Sequence, residues 1–480
     1  MDSFDLLVVG GGINGSAIAR DAARRGHKVL LVEKDDLAQH TSSSSSKLIH
    51  GGLRYLEYYE FRLVREALQE REILLRTAPH VVRPLRFVLP HGEGMRPWWM
   101  VRAGLRLYDL LAWGSSLPRS RGVGRRDEAA RSPLQPGPRR RLASYWDAWV
   151  DDARLVVLNA LDAAEHGAEI ATRTELLGAR RDGEVWSAEL SGGRRVQAKA
   201  LINAAGPWVA EVLGKRLGES SASTVRLVKG SHIVVPRLFE GDQGYILQQP
   251  DGRVVFALPY GEWTLIGTTD IPVDTPEQAV ISQDEIAYLC EAANRYFVLQ
   301  TGPGHLVWSY SGVRSLYDDG AADAQAVTRD YHLELDADPG PKLLSVFGGK
   351  ITTARALAAE ALDRLGVQGR KQTAHAALPG GDIHPGFNAY LEQLARWMPD
   401  DLLLRLSRAY GTRLSEAIGG AGSIKELGRH FGAGLFEAEI AYLRRCEFAR
   451  TADDILWRRT KLGLEMNAAE RKALDRYLER

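Results

Sequence analysis

The sequence predicts an α/β + α protein. A mostly parallel, nucleotide-binding sheet is interrupted by an inserted antiparallel sheet, and a helical C-terminal domain follows. Three observations carry this prediction. A glycine-rich turn, GGGING, links an apolar run to a helical pattern at residues 10–15. Residues 225–335 alternate apolar and polar side chains, as half-buried strands do. Beyond Pro379 the glycine-rich signals stop and helical periodicity takes over.

Residues 4–9, FDLLVV, have the continuous apolar character of a strand buried on both faces. SAIARDAARRG carries helical spacing, Gly26 stands where that helix stops, and KVLLVEK gives the next strand. Residues 57–78 place Leu63, Ala67, Leu68, Ile73 and Leu74 between charges, the pattern of an amphipathic helix closed by Pro79 and Pro84. Residues 97–113, PWWMVRAGLRLYDLLAW, form a helix that faces either the core or a membrane interface. Residues 118–141 are rich in Pro, Gly and Arg and read as an irregular loop. DDARLVVLNALDAAEHGAEI reads as a helix feeding a strand, and QAKALINAAGPWVAEVLG as strand, turn and helix. LLSVFGGKITTARALAAEAL returns to strand, glycines and helix. The expected nucleotide domain is therefore discontinuous, over 1–80, 145–220 and 340–372. A cap domain takes 81–144 and 221–339, and a helical domain 380–480.

Composition narrows the function classes. The chain has 480 residues, enough for two or three full cores, and 62 basic against 61 acidic residues give a net charge of +1. No polyanionic partner is indicated, and no nucleic-acid module is present. Two cysteines, Cys290 and Cys446, predict neither a disulfide framework nor a metal cluster. His375, His384 and His430 lack metal-ligand spacing, so no metal site is expected. The nucleotide motif starts almost at residue 1, which leaves no room for a leader peptide, and no run of eighteen apolar residues predicts a spanning helix.

Gly10, Gly12 and Gly15 satisfy a dinucleotide fingerprint: a tight turn, a close approach to pyrophosphate, and close helix–strand packing. The helix N-terminus then holds the pyrophosphate. Glu33, eighteen residues after Gly15, ends the next strand, where a carboxylate accepts ribose hydroxyls and repels the extra phosphate of NADP. This is a Rossmann-type unit. Candidate closing segments near Ala205 and Gly349 lie far apart in sequence, which suits an extended flavin better than NAD.

The motifs VVGGGINGSAIARDAARRG, TSSSSSKLIHGGLRYLE, DDARL, NAAGPWV, KGSHIVVP, IGTTD, WSYSGVRSL, TRDY and FGGKITTAR keep one order across residues 8–355. RAYGTR and DDILWRRTKLGL continue it to residue 464. Together they resemble the FAD-dependent glycerol-3-phosphate dehydrogenases of the aerobic, quinone-linked type. The resemblance implies a Rossmann-type FAD-binding domain with an inserted antiparallel substrate domain, like that of glycine oxidase and sarcosine oxidase, plus the helical domain. It implies oxidation of sn-glycerol 3-phosphate to dihydroxyacetone phosphate by hydride transfer from C2 to flavin N5, with electrons passing to a membrane quinone. It also implies a homodimer in the cytoplasm, attached peripherally to the inner face of the membrane. Three alternatives stay open: an oxidase using oxygen, an amine or amino-acid oxidase on the same fold, and a flavin-containing scaffold without activity. No long insertion precedes the C-terminal domain, which places the dehydrogenase ahead of the oxidase.

The resemblance also assigns residues. Ile13, Asn14 and Lys34 join the fingerprint. Thr41, Ser42, Ser43, Ser45, Ser46, Lys47, Leu48, His50, Gly51 and Gly52 wrap the flavin, since small hydroxyl residues let the backbone approach a ring system. Ala205, Gly206, Trp208, Gly312, Gly349, Ile351 and Thr352 complete the cofactor site. Arg314, Arg329 and Lys350 are expected to converge on the substrate phosphate, because arginine forks match phosphate oxygens. Arg314 and Lys350 also touch the flavin. Arg54 stands near the reacting end and stabilises a developing alkoxide. A base with a pKa near neutrality is wanted, and His50 and His232 are the candidates; His50 is preferred as the base, with His232 orienting or binding the substrate. Tyr55 and Thr269 are the expected hydroxyl contacts. Ser315 replaces the proline that usually follows Arg314 in this pattern. The arginines of 119–141 and the tryptophans of 97–113 are candidates for contact with an anionic membrane surface.

Overall fold

The computed structural model describes residues 2–92, 95–136, 141–221, 223–318, 330–337 and 340–479. Its first sheet has a parallel centre, in the order Lys342–Phe347, Arg195–Asn203, Asp2–Val9, Val29–Glu33 and Glu169–Thr172. These strands are nearly all apolar because both faces are covered. Helices Ile13–Arg24, Asp152–Glu165 and Ala354–Leu365 bury Ile18, Ala22, Val156 and Leu357 on one face. The hairpin Leu176–Asp182/Val185–Leu190 buries Trp186 with Leu7, Leu30 and Leu201 on the other. Connections that run from 33 to 169 and from 203 to 342 bring the carboxyl ends of these strands to one edge. That edge is where ligands bind in open α/β sheets.

The long connections build the second sheet. Val82–His91 pairs antiparallel with Arg141–Val150 and parallel with Gly244–Gln248. Val254–Tyr260, Trp263–Gly267, Val225–Pro236 and Trp308–Tyr317 continue it antiparallel. Helix Gln283–Asn294 packs on the sheet through Ile286 and Leu289, and helix Trp98–Leu111 through Leu105 and Tyr108. Two expected boundaries move. Position 144/145 falls inside Arg141–Val150, a cap-sheet strand. His332–Asp336, expected in the cap, pairs antiparallel with Lys342–Phe347 in the first sheet. Both shifts follow from hydrogen-bond partners distant in sequence. The loop expected over 118–141 holds a short strand, Arg121–Gly122, and a one-turn helix, Glu128–Arg131, while residues 137–140 lie outside the described residues.

The C-terminal part is helical, with Pro385–Leu394, Asp400–Tyr410, Glu437–Cys446 and Ala468–Leu478 around Leu406, Tyr410, Leu414, Ile440 and Leu474. A small hairpin, His430–Gly432/Leu435–Phe436, is added. Buried ion pairs dock this part on the first domain. Arg154 meets Glu447 in a two-pronged pair, with Nη2 donating to Oε1 at 2.9 Å and both side chains 1% exposed or less. Arg459 meets Asp36 the same way at 2.8 Å and 2.8 Å. Removing one partner strands a charge away from water. Arg154→Met is therefore expected to destabilise the fold by about 3–5 kcal/mol in urea denaturation, and a loss below about 1 kcal/mol would show the pair to be dispensable.

Candidate flavin and substrate site

One cavity of about 380 Å³ opens at the carboxyl edge of the first sheet and runs against the second. Its near wall is the turn after Asp2–Val9. A Cβ at Gly15 would lie 1.9 Å from the Gly10 carbonyl oxygen, and one at Gly10 would lie 2.5 Å from that of Ala204. Gly10 has a φ of +111°, which also favours glycine. Gly12 precedes helix Ile13–Arg24 and offers no side chain to close its first turn. The helix N-terminus, with its partial positive charge, thus faces the cavity. Glu33 ends the neighbouring strand. Its carboxylate accepts from the Gly11 N–H at 2.6 Å and the Asp35 N–H at 2.9 Å. Burial pushes its carboxyl upward, and those two donors oppose the shift.

The serine run is fixed by contacts to four different elements. Thr41 Oγ1 donates to the Val313 carbonyl at 2.6 Å. Ser42 Oγ accepts from the Ile13 N–H at 3.0 Å, and Ser45 Oγ donates to Asp152 Oδ2 at 2.8 Å. Ser46 Oγ shares a hydrogen bond of 2.9 Å with His232 Nε2. A Cβ at Gly312 would meet the Ser44 Cβ at 2.7 Å, so the glycine admits the loop against strand Trp308–Tyr317. The run is a framework, because the hydroxyls of Thr41, Ser42, Ser45 and Ser46 tie it to four other elements.

Of the expected cofactor residues, Gly10, Gly12, Ile13, Asn14, Glu33, Lys34, Thr41, Ser42, Ser45, Ser46, Leu48 and His50 line the cavity. So do Ala205, Gly206, Trp208, Gly312, Arg314, Gly349, Lys350, Ile351 and Thr352, together with Tyr55 and His232. Others do not line it. Gly15 and Ser43 lie behind it, as do Gly51 and Gly52. Lys47, expected against the ring, is 1% exposed and donates to Asp152 at 2.6 Å and to the Ser43 carbonyl at 2.6 Å. Burial brings its pKa down to about 8. Thr269, expected as a hydroxyl contact, is buried on Glu285 at 2.8 Å, and its neighbour Thr268 lines the cavity instead. Arg54 is half-buried and stands outside the lining. Arg329 lies outside the described residues. Residues that sequence reasoning did not single out also line it, among them Thr174, Glu175, Arg216, Gly230, Thr268 and Asp330. Thr174 was findable in principle, since it follows the strand beside Glu33 and donates its N–H to the Glu33 carbonyl at 2.7 Å.

At the second-sheet end, the Arg314 guanidinium donates to Asp270 at 2.6 Å and to the Thr269 carbonyl at 2.8 Å. Lys350 Nζ is buried and has no hydrogen-bond partner among the described residues, and it lies 4.2 Å from the centre of the Tyr55 ring. The two imidazoles do not have the near-neutral pKa expected of them. Burial first, and Lys350 second, bring His50 down to about 4. Burial, then Lys47 and Arg314, bring His232 to about 3. Both rings are neutral at pH 7. His232 also stacks on Tyr310, with ring centres 4.8 Å apart.

These features fit a bound FAD. A helix N-terminus that its own Gly12 leaves without a side-chain cap suits its pyrophosphate, and Glu33 its ribose. Asn14 Oδ1 and Lys350 Nζ, both on lining residues, are buried polar atoms without partners among the described residues. Comparison with known proteins agrees. Residues 5–364 match the family described as FAD dependent oxidoreductase, and residues 371–479 match the C-terminal domain of alpha-glycerophosphate oxidase. The chain is 51% identical to a glycerol-3-phosphate dehydrogenase of Pseudomonas aeruginosa, over 99% of this chain and 95% of that protein. It is 48% identical to a D-erythritol 1-phosphate dehydrogenase of Brucella abortus, over 100% and 98%. The crystal structure of a glycerol-3-phosphate dehydrogenase from Bacillus halodurans complexed with FAD is similar at a TM-score of 0.74 and 26% identity, covering 99% of this chain and 94% of that one. With the fingerprint, the cavity and the match over three-quarters of its length in agreement, the chain belongs to the FAD dependent oxidoreductase family and is an enzyme that uses FAD.

Proposed function

We propose that this enzyme oxidises sn-glycerol 3-phosphate to dihydroxyacetone phosphate and passes the electrons to a membrane quinone. One observation carries the reading: the buried Lys350 ammonium, with no acceptor among the described residues, in the same cavity as Arg314 and both histidines. A desolvated cation of this kind is costly until an anion reaches it. Lys350 and Arg314 hold the phosphate, with the Arg314 guanidinium set in place by Asp270 and the Thr269 carbonyl. Arg329 remains a third candidate cation from sequence. When bound, the flavin accepts the hydride that leaves C2. His50 takes the hydroxyl proton; burial is the larger cause of its depressed pKa, and substrate phosphate beside Lys350 offsets the smaller part that this lysine adds. Ser46 holds the His232 ring so that it orients the substrate. Thr268 and Tyr55 take the hydroxyl contacts expected of Thr269 and Tyr55. We place the working domain boundaries near Val150 and before His332.

A second reading has its own support. The Brucella relative acts by name on a four-carbon polyol phosphate, which carries the same phosphate and one more carbinol. Anaerobic addition to the holoenzyme separates the two. Glycerol 3-phosphate is expected to bleach the flavin faster than D-erythritol 1-phosphate, and the reverse order would favour the second reading. Bleaching by glycine or sarcosine alone would restore the amino-acid oxidases. The C-terminal match bears an oxidase's name, so the acceptor is measured too: reduced enzyme is expected to react faster with a soluble quinone than with oxygen.

We also propose a peripheral, cytoplasmic-face membrane contact and a homodimer. No helix among the described residues is long and apolar enough to span a bilayer. Helix Trp98–Leu111 buries Leu105 and Tyr108 but exposes Trp99, Arg106 and Leu110 along one stripe, and Trp113 and Arg119 follow, both exposed. An apolar stripe rimmed with arginine suits an anionic bilayer surface.

Three outcomes test these assignments. Lys350→Met is expected to cost about 3–4 kcal/mol of substrate binding and to raise KM by about 100- to 1,000-fold, and an unchanged KM removes the phosphate role. His50→Asn is expected to slow anaerobic flavin reduction by about 10²–10⁴-fold. Because the His50 pKa is depressed, the neutral base persists as pH falls below 6.5, so the acid limb of the reduction rate lies nearer pH 4–5. An acid limb at 6.5, or one unchanged in His50→Asn, would assign the proton elsewhere. Finally, the protein is expected to co-sediment with phosphatidylglycerol vesicles and release as salt rises. Replacing Arg106 and Arg119 by Gln weakens this by about 30-fold, at about 1 kcal/mol for each arginine, and equal binding to uncharged vesicles would contradict it.

A further inference from the structure

One short turn of the C-terminal domain touches the back of three separate walls of the flavin cavity. It is the π-helical turn Asp454–Arg459 with the two residues that follow it. None of residues 454–461 lines the cavity.

The first contact is with the loop after Glu33. Arg458 donates to Asp36 at 2.6 Å, and Arg459 donates to the same carboxylate at 2.8 Å through each of two nitrogens. Asp36 opens the segment whose next residues, Ala38, Gln39 and His40, line the ribose side. The second contact is aromatic. The Trp457 ring stacks on Trp308 at 4.7 Å, Trp308 meets Tyr310 at 5.0 Å, and Tyr310 stacks on the cavity residue His232 at 4.8 Å. Trp308 and Tyr310 share one face of their strand, two residues apart, so the rings form a continuous chain of contacts from one domain to the other, tilted by 42° at the Trp308–Tyr310 step. The third contact is electrostatic. Lys461 Nζ stands 3.9 Å from the fully buried Asp152, whose other oxygen takes Ser45 Oγ at 2.8 Å and Lys47 Nζ at 2.6 Å. The Lys461 backbone holds a left-handed φ of +64°, and its ammonium also donates to the Trp457 carbonyl at 2.8 Å, which fixes it beside that ring.

Each anchor ends one step short of a residue that faces the cofactor. We infer that residues 454–461 position the flavin cavity from behind: Trp457 sets His232 through Trp308 and Tyr310, and Lys461 sets the serine run through Asp152. These are positioning residues, since none touches cofactor or substrate. The inference depends on FAD binding and not on the identity of the substrate. Its physical basis is packing. A wall of close-packed rings and buried charges moves as a unit, so a gap opened behind it is felt at its front.

The test uses full-length holoenzyme carrying Trp457→Leu or Lys461→Met, with Trp457→Phe and Lys461→Arg as conservative partners. FAD dissociation is read from flavin fluorescence on dilution, and the geometry around the ring from visible circular dichroism of the bound flavin. Each disruptive change is expected to raise the FAD dissociation constant about tenfold, while the conservative ones stay within about twofold of the parent. Trp457→Leu is also expected to change the visible dichroism. If Trp457→Leu does not fold, Lys461→Met decides the matter alone, because it removes a charge without emptying a packed ring site. FAD retention and dichroism equal to the parent in the disruptive variants would overturn the inference. So would conservative variants that lose as much as the disruptive ones, which would mark the turn as a general support of the fold.

Discussion

Helix Ile13–Arg24 can aim its N-terminus into the cavity only because backbone touches backbone at Gly10, Gly15 and Ala204. A methyl group at either glycine would occupy the space of a carbonyl oxygen. The close approach fixes the helix against the parallel sheet and places the turn at its carboxyl edge. Everything the site does is measured from that edge. The position of the helix N-terminus, the Glu33 carboxylate and the entry of the serine run all follow from it.

The second constraint is electrical. Asp152 sits at the first position of its helix, fully buried, and gathers Lys47 and Ser45 around one carboxylate, with Lys461 nearby. A buried ion pair of this sort adds little net stability, and its value lies in geometry. Here it holds the loop that carries Ser46 and His50. Lys350 is the contrasting case. Its Nζ is also buried, yet it has no hydrogen-bond partner among the described residues and lies over the face of Tyr55. A ring face repays only part of the hydration lost. One lysine is thus committed to architecture and the other has no hydrogen-bond partner among the described residues, although both were expected to serve the cofactor.

Much of this was legible in the sequence, for identifiable reasons. The fingerprint and Glu33 are local and rest on two periodicities, so their positions carry over directly to the structure. Gly312 and Gly349 were placed at the cavity by motif, and the reason appears only in three dimensions: Gly312 admits the serine run at Ser44, and Gly349 makes room for the Asn14 side chain. Thr268 and Thr269 could not be told apart by pattern, since which of two adjacent residues faces the cavity depends on the local backbone at the end of a strand. Lys47 could not be separated from true cavity residues, because its partner lies 105 positions away. The boundary at 145 failed for the same kind of reason, since an apolar strand carries no mark of which sheet it joins. The segment DDILWRRTKLGL was recognised without a role. Its contacts to Asp36, Trp308 and Asp152 are all long-range.

The order of strands has a consequence for biosynthesis. The central strands of the first sheet come from residues 2–9, 29–33, 169–172, 195–203 and 342–347. Residues 195–198 pair early with Val185–Leu190, but residues 200–203 stay an open edge until Lys342–Phe347 emerges to pair with them, and Lys350 closes the cavity only after that. At about 5–20 residues per second, a ribosome takes about 20–70 s to reach this point. The nascent chain therefore spends most of its translation with a fingerprint already made and no closed pocket around it, and the vitamin-derived cofactor must be captured late.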